Sequence, residues 1–366
     1  MVGQAALFIV ILVSLLYATL SFLIRFRFKN YNSDKHELPF VTVLLPCRNE
    51  ANNLPDCLKA LENIDYPSGK IRFLVTDDDS EDETAAILKQ WATKADNRTL
   101  VPLSKRPEKG QNGKALALAE MATQVKSGLL VFTDADCIVP PTWCKSFSKA
   151  YREDYGLVTG ITTVTGDGFF ARMQALDWWL TLGKVKVVSD AGYSLTAMGN
   201  NMAMGSTAYL DSGGFGKVAK NVTEDLAMSI ALYEKGYRPI HIVSEESLVK
   251  TKPEKTVWNL LQQRKRWMRG AFLLPLIWQL LLGLQVAFYA GLILGLYFIP
   301  LWTMVFWLIK TIFQSVFIST FASKTMTKIS FFDLIYFEIY NWWVSWATVI
   351  FYFYPVKLTW KNRNYS

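Results

Sequence analysis

Residues Ala5 to Ile24 form a charge-free apolar run of about the 20 residues that a bilayer-spanning helix needs, and Arg25, Arg27 and Lys29 follow it directly. A cleaved signal peptide carries its positive charges before the apolar core and small residues at its end. Here the order is reversed, which predicts an uncleaved anchor. Basic flanks stay on the cytoplasmic side, so the N-terminus is expected outside and the central domain in the cytoplasm, at a bacterial inner membrane.

The apolar stretch from Ala271 to Phe321 is long enough for two more spans, interrupted by Gly291, Gly295 and Pro300. A last segment, from about Leu334 to Tyr354, carries Glu338 and Asn341, which are costly in lipid unless buried against other helices. Its aromatics, Trp342, Trp343, Trp346, Tyr352 and Tyr354, suit the bilayer interface. If all four segments span, Lys357, Lys361 and Arg363 fall outside, against the positive-inside rule. An interfacial helix in place of one span returns them to the cytoplasm, and this arrangement is favoured.

A chain that is 51% hydrophobic is too apolar for an ordinary soluble domain, yet its middle is too charged for a membrane bundle. The expected division is an anchor over 1–30, a cytoplasmic domain over 38–269 and a C-terminal membrane region over 270–366. A net charge of +8 comes without zinc-finger spacing or a basic helix of base readers, so no nucleic acid is expected as a partner. Cys47, Cys57, Cys137 and Cys144 form no C-x-x-C pair and read as reduced, partly buried thiols. With only His36 and His241 available, any metal must be held by oxygen.

In the central domain, Val41 to Leu45 reads as a buried strand followed by the polar turn Arg48-Asn49-Glu50. A second strand, Ile71 to Val75, ends in Asp77-Asp78-Asp79. A third piece lies near Leu100, and a fourth strand, Gly128 to Phe132, ends in Asp134-Ala135-Asp136. Helical stretches alternate with them, which predicts an α/β fold, a mostly parallel sheet flanked by helices. Ligands of such sheets bind at the carboxyl ends of the strands, where these acidic turns lie. The glycine-rich dinucleotide fingerprint and the P-loop are both absent. Two carboxylates one residue apart suit Mg2+ or Mn2+ bridging a diphosphate, one on the metal and its partner on a ribose hydroxyl or metal-bound water.

Four motifs in this order, Thr76-Asp77-Asp78-Asp79-Ser80, Thr133-Asp134-Ala135-Asp136, Thr223-Glu224-Asp225 and Gln263-Arg264-Lys265-Arg266-Trp267, resemble those of membrane-bound family 2 glycosyltransferases, including ceramide-glucosyltransferase-like and polysaccharide-synthase-like enzymes. The resemblance covers about Val41 to Trp267. It implies a GT-A type fold and inverting transfer of a sugar from a nucleotide-sugar donor, a UDP-sugar. Carried over, it puts Asp78 on the base, with Pro46, Arg48 and Glu50 in the same pocket and Asp77 as the weaker candidate. Asp79 stands where the family usually has glycine. Lys114 and Gln263 belong to the donor site, Arg266 to the leaving diphosphate, Asp136 to the metal and Asp134 to ribose or metal. Asp225 resembles the general base. Asn200, Asn201, Glu224 and Trp267 fall on the acceptor side.

Thr223 is expected to cap a helix running to about Lys235, with Gly236 as its stop. The helix start would keep Asp225 ionised and so weaken it as a base, until a bound acceptor desolvates it. The Phe169–Val188 stretch reads equally as an amphipathic helix at the membrane surface or as core. A membrane beside the acceptor end favours a lipid, or another membrane-associated glycan, as acceptor. Processive polysaccharide synthesis is the alternative, harder to build with so few spans. An inactive scaffold and a nucleotidyltransferase are the readings from other classes; the intact motifs oppose the first, and the missing glycine-rich loop opposes the second.

Overall fold

The apolar runs that end in acid become neighbouring strands of one sheet in the computed structural model, which describes residues 1–31, 37–108, 110–361 and 363–365. His36 lies outside the described residues. After the N-terminal helix α1 (Val2–Phe26), the chain alternates β1 (Val41–Cys47), α2 (Leu54–Glu62), β2 (Ile71–Asp77), α3 (Thr84–Ala92), β3 (Arg98–Leu100), α4 (Gly113–Ala122) and β4 (Leu129–Thr133). There follow β5 (Cys137–Ile138), α5 (Trp143–Ala150), β6 (Leu157–Thr159), β7 (Thr162–Val164) and the long α6 (Phe169–Asp190). Next come β8 (Asn201–Gly205), α7 (Ser206–Asp211), α8 (Gly214–Val218), α9 (Glu224–Glu234), β9 (Pro239–His241) and β10 (Val249–Thr251). The chain closes with α10 (Val257–Ala271), α11 (Leu276–Phe298), α12 (Pro300–Ser323), α13 (Phe331–Phe353) and a hairpin of β11 (Leu358–Trp360) and β12 (Arg363–Tyr365).

The main sheet runs β3-β2-β1-β4-β8-β6-β9. The first four strands are parallel, β8 is antiparallel to β4 and β6, and β6 and β9 are parallel. All seven residues of β1 are buried, because helices cover both faces of the sheet. The two-residue period of the strand divides them: Val41, Val43 and Leu45 pack with Leu54, Leu58, Leu88 and Phe147, while Leu44 packs with Leu118, Met121, Phe215 and Met228. A second sheet, β5-β10-β7, sits beside the end of β4 and brings the segment after Thr251 next to Asp136.

Among the described residues, three helices are long and apolar enough to cross a membrane: α1, α11 and α12. They pack through close contacts of the kind lipid-embedded helices use, with small residues and hydroxyls at the seams. Ser14 and Ser21 of α1 donate to the carbonyls of Phe306 and Phe313 on α12, both at 2.7 Å. At Gly291 a Cβ would meet the Ala6 carbonyl at 3.2 Å.

Helix α13 begins where Arg172 of α6 holds Asp333 at 3.0 Å and ends where Lys265 of α10 donates to the Tyr354 and Val356 carbonyls. The hairpin beyond it reaches Asp78, so both ends of α13 lie on the side of the α/β domain. Glu338 is not exposed to lipid: Lys310 donates to its two oxygens at 2.8 and 2.6 Å, and Trp307 and Gln314 donate at 3.1 Å. Asn341 donates to the Tyr289 hydroxyl at 3.0 Å.

Helix α6 resolves the two readings of its sequence in favour of core. Met173, Leu176, Trp179, Leu182 and Val185 are buried in one cluster with α1, α12 and α13 residues. At Gly183 a Cβ would meet the Phe317 ring at 2.7 Å, so α6 lies directly on α12 and couples the domain to the spans.

Candidate active site

The carboxyl ends of β1, β2 and β4, the start of α9 and one face of α10 enclose a cavity of about 1030 Å³. Pro46, Arg48, Glu50, Asp78, Lys114, Asp134, Asp136, Asn200, Glu224, Asp225, Gln263, Arg266 and Trp267 all line it. Two expected site residues do not. Asp77 accepts the Ser80 amide at 3.2 Å and holds the turn. Asn201 is buried in the core as the first residue of β8, where it accepts from the Trp143 indole at 2.9 Å and donates to the Ile161 and Ser247 carbonyls. Those bonds hold Asn201 in the core, whereas its neighbour Asn200, in the turn before β8, lines the cavity.

At one end of the cavity Asp78 is 4% exposed, and its Oδ1 is buried without a hydrogen-bond partner. Its Oδ2 is held by Arg363 of the hairpin. Burial raises its pKa, against the opposing pull of Arg363. Arg48 is a brace for this turn, donating to the Asp78 and Asp79 carbonyls at 2.5 and 2.6 Å. Asp79 takes φ 60°, the left-handed backbone that glycine adopts freely and aspartate adopts more readily than most residues. Glu50 pairs with Lys361 and accepts from Asn53 at 2.7 Å.

In the centre, Lys114 lies 2.5 Å from Asp134 and 3.3 Å from Glu224. Burial disfavours its charge, but the two carboxylates outweigh that and keep it protonated. Asn112, which caps α4, also donates to Glu224 at 2.8 Å. Lys114 thus ties the D-x-D turn to the T-E-D helix. Glu224 is used by this tie on both oxygens. Burial, reinforced by Asp134, raises the pKa of Asp136.

Those two adjacent carboxylates repel, and a cation would relieve them. Among the described residues no group of three His, Cys, Asp or Glu side chains is placed to hold a metal ion. The set therefore fits a hard cation that completes its shell with phosphate oxygens and water, and does not fit an all-protein cage. All four cysteines are free and buried. His241 is buried away from the cavity against Thr159 at 2.8 Å.

Asp225 sits in the first turn of α9. Its Oδ1 accepts its neighbour's amide, Leu226, at 2.8 Å, and its Oδ2 accepts the Gly199 amide at 2.9 Å. These fix its orientation and leave lone pairs on both oxygens. Burial, then the charge of Glu224, raises its pKa to about 6. The expectation that the helix start dominates is overturned: the protein's own packing desolvates the carboxylate before any acceptor is needed. Thr223 stands at the N-cap position but makes no capping bond, because its hydroxyl is packed against Gly270 of α10, where a Cβ would lie 2.6 Å away. T-E-D is thereby docked on the Q-x-x-R-W helix.

On that helix Gln263 donates to Glu254 at 3.0 Å, and the Trp267 ring meets Trp178 of α6 edge-on at 5.8 Å. Beyond them the cavity continues along Leu182, Val185, Leu195, Leu274 and Leu282, the last on span α11. Sequence reasoning missed Glu254, Gln262 and the hairpin residues Trp360, Lys361 and Arg363. Lys361 and Arg363 carried a signal, charge, but it was read only as a marker of membrane side.

A family model described as glycosyl transferase family 21 matches residues 6–366. Among curated proteins, the chain is 33% identical over 131 residues to the glycosyltransferase AglE of Haloferax volcanii, covering 36% of this chain and 37% of that protein. It is 25% identical over 244 residues to a beta-monoglucosyldiacylglycerol synthase of Nostoc sp., covering 64% of this chain and 49% of that one. The matches thus span about half or less of these relatives' lengths. A solved structure, the mannosyltransferase PcManGT of Pyrobaculum calidifontis in complex with GDP-Man and Mn2+, superposes with a TM-score of 0.60 over 97% of this chain and 99% of that chain, at 17% identity. This likeness supports the GT-A type fold with membrane helices at both ends.

Proposed function

Since this chain belongs to glycosyl transferase family 21, we propose that it transfers a sugar, with inversion, from a nucleotide-sugar donor to a lipid at the membrane face. Its placement beside family 2, the use of a UDP-sugar and the cytoplasmic orientation of the domain over 38–269 are parts of the same proposal. The observation that carries the proposal is the single cavity, which joins Asp78, Asp136, Asp225 and Arg266 and continues along apolar residues to Leu282 of a membrane span. An acceptor hydroxyl arriving along that apolar arm would enter the same cavity that Asp225 and Asp136 line.

In this reading Asp225 takes the proton of the acceptor hydroxyl, and its pKa of about 6 suits a base working near neutral pH. Asp136, with Asp134 beside it, would hold Mg2+ or Mn2+. The cation supplies neutralisation of the leaving diphosphate. Arg266 offers a guanidinium to the same group, and Trp267 walls the acceptor side. The relatives add support at a coarser level: one is named as making a glucosyl lipid, and the solved neighbour holds a nucleotide sugar with a divalent cation.

The test is incubation of membranes containing the protein with a panel of radiolabelled nucleotide sugars and either cation, followed by separation of lipid-soluble from polymeric product. Label in a lipid-soluble product of fixed size supports single transfer to lipid. Label in a polymer replaces that reading with processive synthesis, and no label in either fraction sinks the enzymatic proposal.

A further inference from the structure

The hairpin of β11 and β12 covers three groups that the reading above assigns to the donor. Arg363 bonds Oδ2 of Asp78 and donates to its carbonyl at 3.2 Å. Lys361 pairs with Glu50 and feels the charges of Asp136 and Asp134. The Trp360 ring faces the Arg266 guanidinium at 4.7 Å. Each contact has the polarity of the ligand group expected there. A guanidinium N–H stands on Asp78 where a nucleobase N–H would bind. An ammonium stands among the carboxylates where a divalent cation would. An aromatic face occupies the guanidinium meant for a diphosphate.

The hairpin is seated by specific contacts. Arg48 donates to the Lys361 carbonyl at 2.9 Å, and Gln262 both donates to the Lys357 carbonyl at 3.3 Å and accepts the Thr359 amide at 3.2 Å. Arg363 lies against Gly113, where a Cβ would collide with it and with Asp78. Its turn holds Lys361 at φ 48°, a left-handed conformation that a lysine keeps only when surrounding contacts impose it. The side chains of Lys361 and Arg363 retain 28% and 17% exposure, so both ion pairs can exchange with a solute.

We propose that this hairpin is an intramolecular competitor of the nucleotide sugar, with Trp360, Lys361 and Arg363 setting the apparent donor affinity of the enzyme. The inference rests on the donor-site reading above. A nucleoside diphosphate with its divalent cation displaces all three contacts together. The apparent Kd exceeds the intrinsic one by the inverse of the fraction of hairpins that are out of the pocket.

The experiment is calorimetric titration of the full chain in detergent with UDP or GDP plus Mn2+, comparing wild type with the double variant Lys361→Ala/Arg363→Ala. A hairpin that is out about a tenth of the time predicts a Kd about tenfold lower in the variant. An unchanged or weaker Kd in the variant overturns the competitor role while leaving the donor site standing. Binding by neither protein overturns the donor-site reading and this inference with it. Wild-type protein gives a second readout independent of variant folding: trypsin cleavage after Lys361 and Arg363 accelerates on addition of nucleotide and Mn2+. Protection by the same addition overturns the proposal.

Discussion

The Lys114 ammonium holds the Asp134 carboxylate at 2.5 Å, so the first aspartate of the D-x-D turn is already neutralised by the protein. Asp136 is left as the carboxylate with the stronger demand for a cation. The two aspartates, equivalent in the sequence, are therefore chemically distinct in the fold.

Asp136→Asn is expected to abolish the cation dependence of nucleoside diphosphate binding, and Asp134→Asn to weaken it less. Binding titrations with and without EDTA check this. Equal loss in the two variants would contradict the division of labour.

Asp225→Asn keeps an acceptor for one of the two backbone amides that Asp225 holds, sets an NH2 against the other, and cannot accept a proton. The drop in kcat is expected to be on the order of 10²–10⁴-fold, with donor Kd within about twofold of wild type. Single-turnover rates together with nucleotide titrations separate the two quantities.

The pH profile follows from the same residue. A base works only when deprotonated, and the pKa of Asp225 is raised to about 6 by burial and by Glu224. Activity is thus expected to fall as pH drops through about 6 and to level off above about pH 7. A log kcat/KM profile that stays flat down to pH 4.5 would exclude Asp225 as the titrating base.

Lys310 and Glu338 form a buried pair inside the membrane region, satisfied on every side by Trp307, Gln314 and each other. Lys310→Met strands a buried carboxylate and is expected to cost about 3–5 kcal/mol, whereas Lys310→Met/Glu338→Leu is expected to be close to neutral. Thermal unfolding in detergent of the two variants measures the difference. Equal destabilisation would show that the pair itself, and not the stranded charge, holds α13.

Much of this molecule was legible in the chain. Alternating apolar runs with acidic ends dictate a parallel sheet with carboxylates at one edge, because a buried strand must be apolar and the ends of parallel strands converge on one side. The run from Ala5 to Ile24 gives a helix long and apolar enough to cross a membrane, as α1 is. That Asp78, Asp134, Asp136 and Asp225 share one site could be expected from motif order, and all four line one cavity.

Other features depend on residues that only folding brings together. Asn200 and Asn201 are adjacent in sequence, yet Asn200, in the turn before β8, lines the cavity while Asn201, the first residue of β8, is buried in the core. The pKa of Asp225 depends on burial that no local pattern encodes. Arg363 meets Asp78 across 285 residues, a contact with no periodicity to announce it. The sequence by itself determined which chemical groups the protein carries and which segments must be buried, since both follow from composition and local pattern. The tertiary structure decided which groups share one cavity, which are already paired, and that the hairpin after α13 lies against Asp78, since long-range packing alone sets those distances.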